Sequence, residues 1–263
     1  MTLSLAFIGG LVMITSVQAI PPNAPVNWGL GPQTISGDSD VSTLGTLVDA
    51  FALGNAGISS TTVNGVTFVP FVFPDFSFSN PNTVTSGNYN FTEDEFADGN
   101  GLLVNYSGLG TDSGAYITLS TGYQALLGNG GGSTAPTTLI LTISGLTTGQ
   151  TYLFQWWDNN SSLTTSFTGL ELNTVSTADN AATLAGNDGT TGSVGQFAIG
   201  TFTATSANEE IDFNGSSADG NASDPMLNAF QLRVADVPEP STYALMGIGT
   251  LALVLKLRPR KTG

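Results

Sequence analysis

The chain has 263 residues, with twenty acidic and five basic side chains, a formal net charge of −15, and no histidine or cysteine. The absence of cysteine excludes disulfides and thiolate metal sites, and the absence of histidine removes the usual catalytic base and zinc ligand. Four of the five basic residues lie in the last eight positions, so residues 20–236 carry a net charge of −18 and cannot neutralise a nucleic-acid backbone.

Residues 1–19 predict a secretory signal peptide. Residues 3–17 are mostly apolar, and Val17 and Ala19 put small side chains at the two positions that a signal peptidase reads. The pattern departs from the usual one because no basic residue lies in this stretch. We expect signal peptidase to cleave after Ala19.

Residues 20–236, called the body below, have the composition of a β-protein. The body is rich in Thr, Ser, Gly, Asn, Val and Phe, whereas the helix formers Lys, Glu, Arg and Met are nearly missing from it. Its length is sufficient for one domain with a substantial core, and no internal linker divides it. We therefore expect a single all-β domain.

Apolar and polar residues alternate in several short windows bounded by turn residues, as is typical of strands. Val41–Ala52 is either extended or weakly helical, and Ser120–Leu127 is the best helix candidate. The run Gly128–Gly132 predicts a surface loop. The predicted strands include Asn64–Val69, Gly101–Ser107, Ala115–Ser120, Phe197–Ala204, Glu209–Phe213 and Leu227–Val234.

A hairpin is predicted between residues 139 and 157. Glycines at 145 and 149 separate two strands whose side chains alternate between two faces. Eight or so such strands without a repeat favour an antiparallel two-sheet β-sandwich, with a jelly roll as the first choice. The residues expected on the inner face of the two strands are Leu139, Leu141, Ile143, Tyr152, Phe154 and Trp156.

The segment Trp157, Asp158 and Asn159 is the candidate site for a neutral glycan. Period two sends Trp157 to the face opposite Trp156, where an exposed indole would stack on a sugar ring while the Asp and Asn side chains bind hydroxyls. The alternative is that both indoles are core residues, as we expect of Trp156. For Trp157 the sequence leaves both readings open.

Three acidic clusters are candidates for a structural calcium ion, which takes six to eight oxygen ligands from loops. None has the spacing of an EF-hand, and a solvated acidic surface explains such clusters equally simply. The sequence does not choose among the three. Their acidic residues are Asp38 and Asp40; Glu93, Asp94, Glu95 and Asp98; and Asp219 and Asp224.

Enzymatic chemistry is left with one option, a pair of carboxylates for glycoside hydrolysis, which must flank a cleft about 5–9 Å apart. With one arginine in the body, no phosphate clamp can form. An acidic surface explains the same residues without catalysis, so we expect no enzyme. The candidate acids are Glu93, Asp94, Glu95, Asp158 and Glu171.

The tail, residues 237–263, contains three signals in fixed order. Val237, Pro238, Glu239 and Pro240 come first, and the uncharged run 243–255 follows. This run is shorter than a comfortable membrane-spanning helix, so it suits a temporary anchor. The chain closes with a basic cluster formed by Lys256, Arg258, Arg260 and Lys261.

This order resembles the PEP-CTERM sorting signal of Gram-negative bacteria. The resemblance implies that an exosortase, a membrane transpeptidase, removes the tail while the protein is transiently anchored in the inner membrane. The alternative is an ordinary single-pass anchor with cytoplasmic positive charges.

Parts of the body are similar to segments of uncharacterised PEP-CTERM proteins whose core is a galactose-binding-like jelly roll. These segments are Ile35–Leu47 with Val63–Phe68, Leu141–Trp157 and Leu227–Arg233. The resemblance implies a fold and no activity. We therefore expect a non-catalytic protein of the cell surface or exopolysaccharide matrix, with weak neutral-glycan binding; the alternative is a secreted glycan-active hydrolase.

Overall fold

The computed structural model of the chain describes residues 24–77, 82–94, 102–134, 138–163, 171–177, 180–217 and 222–236. The predicted signal peptide and sorting tail lie outside them. The described residues form one helix, α1 (Thr121–Leu127), two 3-10 turns (Asp38–Asp40 and Tyr116–Thr118) and seventeen strands. In chain order the strands are β1 (Gln33–Thr34), β2 (Thr46–Gly54), β3 (Thr61–Val63), β4 (Val66–Val72), β5 (Thr83–Ser86), β6 (Tyr89–Asp94), β7 (Leu102–Ser107), β8 (Asn129–Thr134), β9 (Thr138–Ser144), β10 (Thr151–Asp158), β11 (Glu171–Thr177), β12 (Asn180–Ala185), β13 (Gln196–Thr203), β14 (Asn208–Ser217), β15 (Ala222–Ser223), β16 (Met226–Leu227) and β17 (Ala229–Val234).

The first sheet has the strand order β1-β13-β10-β17-β2-β4-β3. Its neighbours are antiparallel except β2 and β4, which run parallel with Phe51 opposite Val69. Strand β17, the last described strand, is the fourth of the seven. It pairs with β10 on one side and with β2 on the other, so that Val234 lies between Tyr152 and Thr46.

The second sheet has the order β12-β11-β14-β9-β6-β5, with β15 paired to β14, and all its pairs are antiparallel. Its inner face packs on the inner face of the first sheet in one aromatic and aliphatic core. Phe230 of β17 lies at the centre, with ring centroids of Phe51, Phe91 and Phe154 within 5.2–5.9 Å. The predicted all-β sandwich is confirmed.

The six residues predicted on the inner face of β9 and β10 are buried in this core, which confirms the period-two assignment. The predicted hairpin between the two strands is wrong. Strand β9 pairs with β14 and β6 in the second sheet, whereas β10 pairs with β13 and β17 in the first. The turn around Gly145 and Gly149 therefore carries the chain from one sheet to the other, and both strands point their apolar residues into the same core.

The glycine run predicted as a surface loop is instead a buried strand. Strand β8 lies between β7 and β16 in a third, small sheet. A Cβ atom at Gly131 would lie 2.5 Å from the ring of Phe73, and one at Gly132 would collide with the carbonyl oxygen of Pro225. A side chain at either position would push these neighbouring groups aside, so the close approach requires glycine.

The outer face of the first sheet is buried beneath a second layer, called the covering layer here, which consists of α1, the two 3-10 turns and residues 35–45. Side chains from β2, β4, β10, β13 and β17 form a second apolar cluster with this layer. The predicted helix is confirmed. Ser120 caps it, because its Oγ accepts a hydrogen bond from the backbone N–H of Tyr123.

Other predicted elements have mixed outcomes. The segment Ala115–Ser120 forms a 3-10 turn and not a strand. The window Asn64–Val69 begins with a hairpin turn, since Asn64 and Gly65 have φ of 48° and 74°, and β4 starts only at Val66. Val41–Ala52 is an extended segment whose strand starts at Thr46. The windows near β7, β13, β14 and β17 are confirmed, with a break at Asn228.

The outer face of the second sheet has no such cover in the described part of the chain. Its central strand, β9, turns half-exposed Thr138, Ile140 and Thr142 outward. Neighbouring polar side chains bond to one another, as between the hydroxyls of Thr174 and Thr183 at 2.8 Å. The two sheets thus share a core but differ in what covers their outer faces.

Candidate functional site

The predicted glycan-stacking residue Trp157 is buried, with 0% of its surface exposed. It points to the face opposite Trp156, as the strand period requires, but that face is covered. Its ring lies edge-on to Phe68, and its Nε1–H donates to the hydroxyl of Tyr123 at 2.8 Å. Of the two readings that the sequence left open, the exposed platform is therefore wrong, because α1 and the rest of the covering layer occupy the space that a sugar ring would need.

Tyr123 holds this contact from the helix side. Its hydroxyl lies 3.5 Å from Asp40 Oδ2, and burial, followed by the charge of Asp40, raises the pKa of Tyr123 well above its ordinary value. The hydroxyl therefore stays protonated at neutral pH. It joins Trp157 to the acidic turn that was a candidate calcium site.

The neighbouring Asp158 and Asn159 are also fully buried and cannot meet a glycan. Asn159 accepts from the N–H of Gly195 at 2.9 Å, and its own N–H donates to Asn228 Oδ1. The Nδ2 group of Asn228 donates to three carbonyl oxygens, those of Leu127, Asn129 and Asn159. This network satisfies backbone groups where β10 and α1 end and β17 begins, so its role is structural.

The only basic residue of the body, Arg233, is buried on the outer face of the first sheet. Its guanidinium donates to the carbonyl oxygens of Thr43, Leu44 and Gly45 at 2.7–3.1 Å. Beside it, Gln155 Nε2 donates to the carbonyl of Asp40. This role of Arg233 was not predicted from the sequence, although a single cation in an otherwise anionic body is a signal for one.

The described residues contain no group of three or more acidic side chains that could hold a metal ion. Asp40 instead accepts hydrogen bonds from Ser36 and Gly37, and Asp38 accepts one from the Ser120 hydroxyl, so both acids fasten the covering layer. Exposed Asp224 accepts from the Tyr106 hydroxyl. Of the other calcium candidates, Glu93 and Asp94 lie in β6, whereas Glu95, Asp98 and Asp219 lie outside the described residues.

The four candidate acids for hydrolysis that the structure describes lie on three strands, β6, β10 and β11. Glu93 is buried on β6 and accepts a hydrogen bond from the Ser133 hydroxyl at 3.0 Å, whereas Asp158 ends β10 beside Gly186. Asp94 and Glu171 lie in β6 and β11. Glu93 and Asp158 are both buried, on different strands of different sheets.

A buried acid that the sequence analysis missed is Glu209, 1% exposed on the inner side of β14. Burial raises its pKa to about 7, against a weaker lowering by the hydrogen bond from the Ala24 N–H. Its Oε1 atom has no hydrogen-bond partner among the described residues. The strand period was the available signal, since Glu209 has the same parity as Ile211 and Phe213.

A surface cleft of about 330 Å³ lies between residues 55–61 and α1. Its lining has no charged side chain, which distinguishes it from the strongly acidic body. The polar groups are amides and hydroxyls, and Ala125 and Ile58 add apolar surface. The polar residues that line it are Asn55, Ser59, Ser60, Thr61 and Asn129.

Comparison with known proteins identifies one region. Residues 236–261 match the family described as the PEP-CTERM protein-sorting motif. No curated protein matches the chain, and no solved structure matches it. Among the described residues, which end at Asp236, no helix is long and apolar enough to cross a membrane.

Proposed function

Because the chain carries a PEP-CTERM protein-sorting motif, a type of motif that exosortase recognises, we propose that it is an exported, non-catalytic protein of the cell surface or exopolysaccharide matrix. The motif implies export and a membrane-anchored sorting step at the C-terminus. In this proposal signal peptidase removes residues 1–19, and exosortase then removes the tail. The body is released as an acidic β-sandwich, for which we retain the jelly-roll, galactose-binding-like class as a prediction.

The match at residues 236–261 is the single observation that carries this proposal, and mass spectrometry of the native C-terminus tests it. Mature surface protein should lack Arg260 and Lys261. A variant with Pro238, Glu239 and Pro240 all replaced by Ala should keep the tail and remain in the inner membrane. Surface-exposed wild-type protein that retains Lys261 would contradict the sorting step and leave a permanent anchor.

The non-catalytic part of the proposal is supported by what the candidate acids do. Glu93 is engaged by Ser133 within the sandwich, and Asp158 is fully buried. A hydrolase needs a carboxylate pair that a substrate can reach. Release of reducing sugar from neutral polysaccharides by the purified protein would instead support the hydrolase alternative.

For the neutral-glycan part, we place the binding site in the uncharged cleft beside α1. Amide and hydroxyl groups can form hydrogen bonds with the hydroxyls of a sugar. An uncharged polysaccharide is not repelled by the negative charge of the body when it approaches the cleft. The cleft has no aromatic platform among its lining residues, which fits weak binding.

Affinity electrophoresis in gels containing a soluble neutral polysaccharide tests this site. Ser60→Leu fills the cleft with an apolar side chain and should abolish the retardation. Thr67→Leu, the control on another exposed part of the first sheet, should migrate like wild type. Equal retardation of both variants would exclude the cleft as the binding site.

A further inference from the structure

Strand β17 ends with Val234 at one end of the sandwich. The backbone N–H of Ala235 donates to the carbonyl of Thr151 at 3.0 Å, so the ordered pairing extends to the first residue after the strand. The sorting motif begins at Asp236. The tail therefore leaves the body directly from the central strand of the first sheet.

The tether between the body and the apolar run of the tail is short. Seven residues, 236–242, lie between Ala235 and Tyr243, so the chain takes eight residue-to-residue steps from one to the other. Since an extended chain covers at most about 3.3–3.6 Å per residue, this tether spans no more than about 28 Å. While the tail is anchored, the end of the body that carries Val234 is therefore held close to the membrane.

Three exposed aliphatic side chains lie at this end. Leu47 is paired with Arg233 across β2 and β17, Val48 follows at the bulge in the same pairing, and the carbonyl of Leu44 binds the Arg233 guanidinium. Their exposed fractions are 73% for Leu44, 38% for Leu47 and 41% for Val48. Single exposed leucines are ordinary, but three beside the exit of a membrane tail are not explained by folding.

We propose that Leu44, Leu47 and Val48, called the exit patch, dock on the lipid interface of the inner membrane while the tail is anchored. The proposal rests on the membrane-anchored step of the proposed function. Arg233, the one cation at this end, is buried and committed to backbone carbonyls, and Asp236 is exposed. The contact therefore depends on apolar side chains, and the partner is the bilayer interface, not anionic headgroups.

The exit patch and the glycan cleft lie at opposite ends of β2. The patch flanks Thr46, where the strand begins, and the cleft flanks Gly54, where it ends. Docking of the patch thus orients the anchored body so that the cleft faces away from the membrane. Once the tail is cut, the three aliphatic side chains bind too weakly to keep the strongly anionic body at the bilayer. The body then leaves the membrane.

Site-directed fluorescence can test this orientation, because the chain has no cysteine and each introduced one is unique. We would label Leu44→Cys or Ile117→Cys in the full chain with a polarity-sensitive dye and reconstitute it in phosphatidylcholine vesicles containing nitroxide-labelled lipid. Ile117 is the matched control, 49% exposed but on the turn that binds Gly192, beyond the other end of β10.

The dye at position 44 should shift to the blue and lose most of its emission to the lipid quencher, whereas the dye at 117 should do neither. Adding Leu47→Ser and Val48→Ser should weaken the quenching at 44. Vesicle flotation measures anchoring separately: a chain that fails to float contradicts the anchored step and this inference with it. A chain that floats without quenching at 44, or with equal quenching at both positions, overturns the inference alone and leaves exosortase itself as the occupant of the patch.

Discussion

The two sheets meet in one core, yet their outer faces differ. On β10 the outward residues Leu153, Gln155 and Trp157 are as buried as the inward ones, because the covering layer lies on them. On β9 the outward residues are half-exposed, and among them only Ile140 is apolar. The first sheet is thus the middle of three layers, while the second forms an outer wall.

This difference shows what alternation can and cannot predict. In β9 apolar and polar residues alternate except at Ile140, and the mainly polar face is the one in contact with water. In β10 the sequence TYLFQWWD is apolar or amide-bearing at nearly every position, which is typical of a strand buried on both faces. An outward tryptophan in such a strand indicates a further layer.

The largest expected effect is the loss of stability when Trp157 is removed, and it tests whether this side chain is covered or exposed. Trp157→Ala should cost about 3–5 kcal/mol of unfolding free energy, as much as Trp156→Ala, because both indoles are fully buried. Chemical denaturation followed by circular dichroism measures this. A Trp157→Ala variant as stable as wild type would mean that the covering layer contributes no packing.

The second prediction compares adjacent acids on opposite faces of β14. Glu209 points inward with its pKa raised from 4.5 to about 7, so the folded state holds a proton that the unfolded state releases. Its stabilising contribution is fully present below pH 4.5 and is lost as the pH rises through 7, a change of roughly 3 kcal/mol. Glu209→Gln should therefore flatten the fall in melting temperature between pH 5 and pH 8.

Glu210→Gln is the control for this measurement, since Glu210 lies on the outer face of the same strand. It should keep most of the pH dependence of wild type, because the charge of Glu210 is the smallest of the causes that shift the pKa of Glu209. If Glu209→Gln and Glu210→Gln gave the same pH profile as wild type, Glu209 would not be the group responsible.

A smaller effect tests how the covering layer is attached. Tyr123→Phe removes the acceptor of the Trp157 indole N–H and leaves that N–H buried without a partner, which should cost about 1–3 kcal/mol. Tyr106→Phe, at a half-exposed tyrosine where water can replace the hydroxyl, should cost less. Urea denaturation of the two variants provides the comparison, and equal costs would exclude a special role for the indole contact.

The smallest effect belongs to the outer wall. Thr142 sits at the middle of the exposed face, opposite Asn90 on one side and Glu210 on the other. Thr142→Ala should change the unfolding free energy by less than about 0.5 kcal/mol, because none of the segments that the structure describes forms a layer on it. A cost comparable to that of Trp157→Ala would reveal a partner on this face.

The sequence predicted the inner faces, the helix and the sorting motif, because each depends on local periodicity or on residue order. It did not predict which sheet each strand joins, since the turn at Gly145 and Gly149 has the same composition in a hairpin and in a crossing between sheets. The cover over Trp157 depends on α1, which is some thirty residues away in the chain. The sequence of β10 indicates that a further layer exists, but not which segment of the chain forms it.

The central place of β17 sets an order of events for biogenesis. Its residues are among the last of the body to be synthesised and exported, yet β10 and β2 have no pairing with each other without it. The first sheet therefore cannot be completed before residues 229–234 have been synthesised, and until then β1-β13-β10 and β2-β4-β3 lack the strand that joins them. A product truncated before β17 would lack both the central strand of the first sheet and the sorting motif that follows it. Only a chain that can complete the sheet therefore carries the signal for sorting.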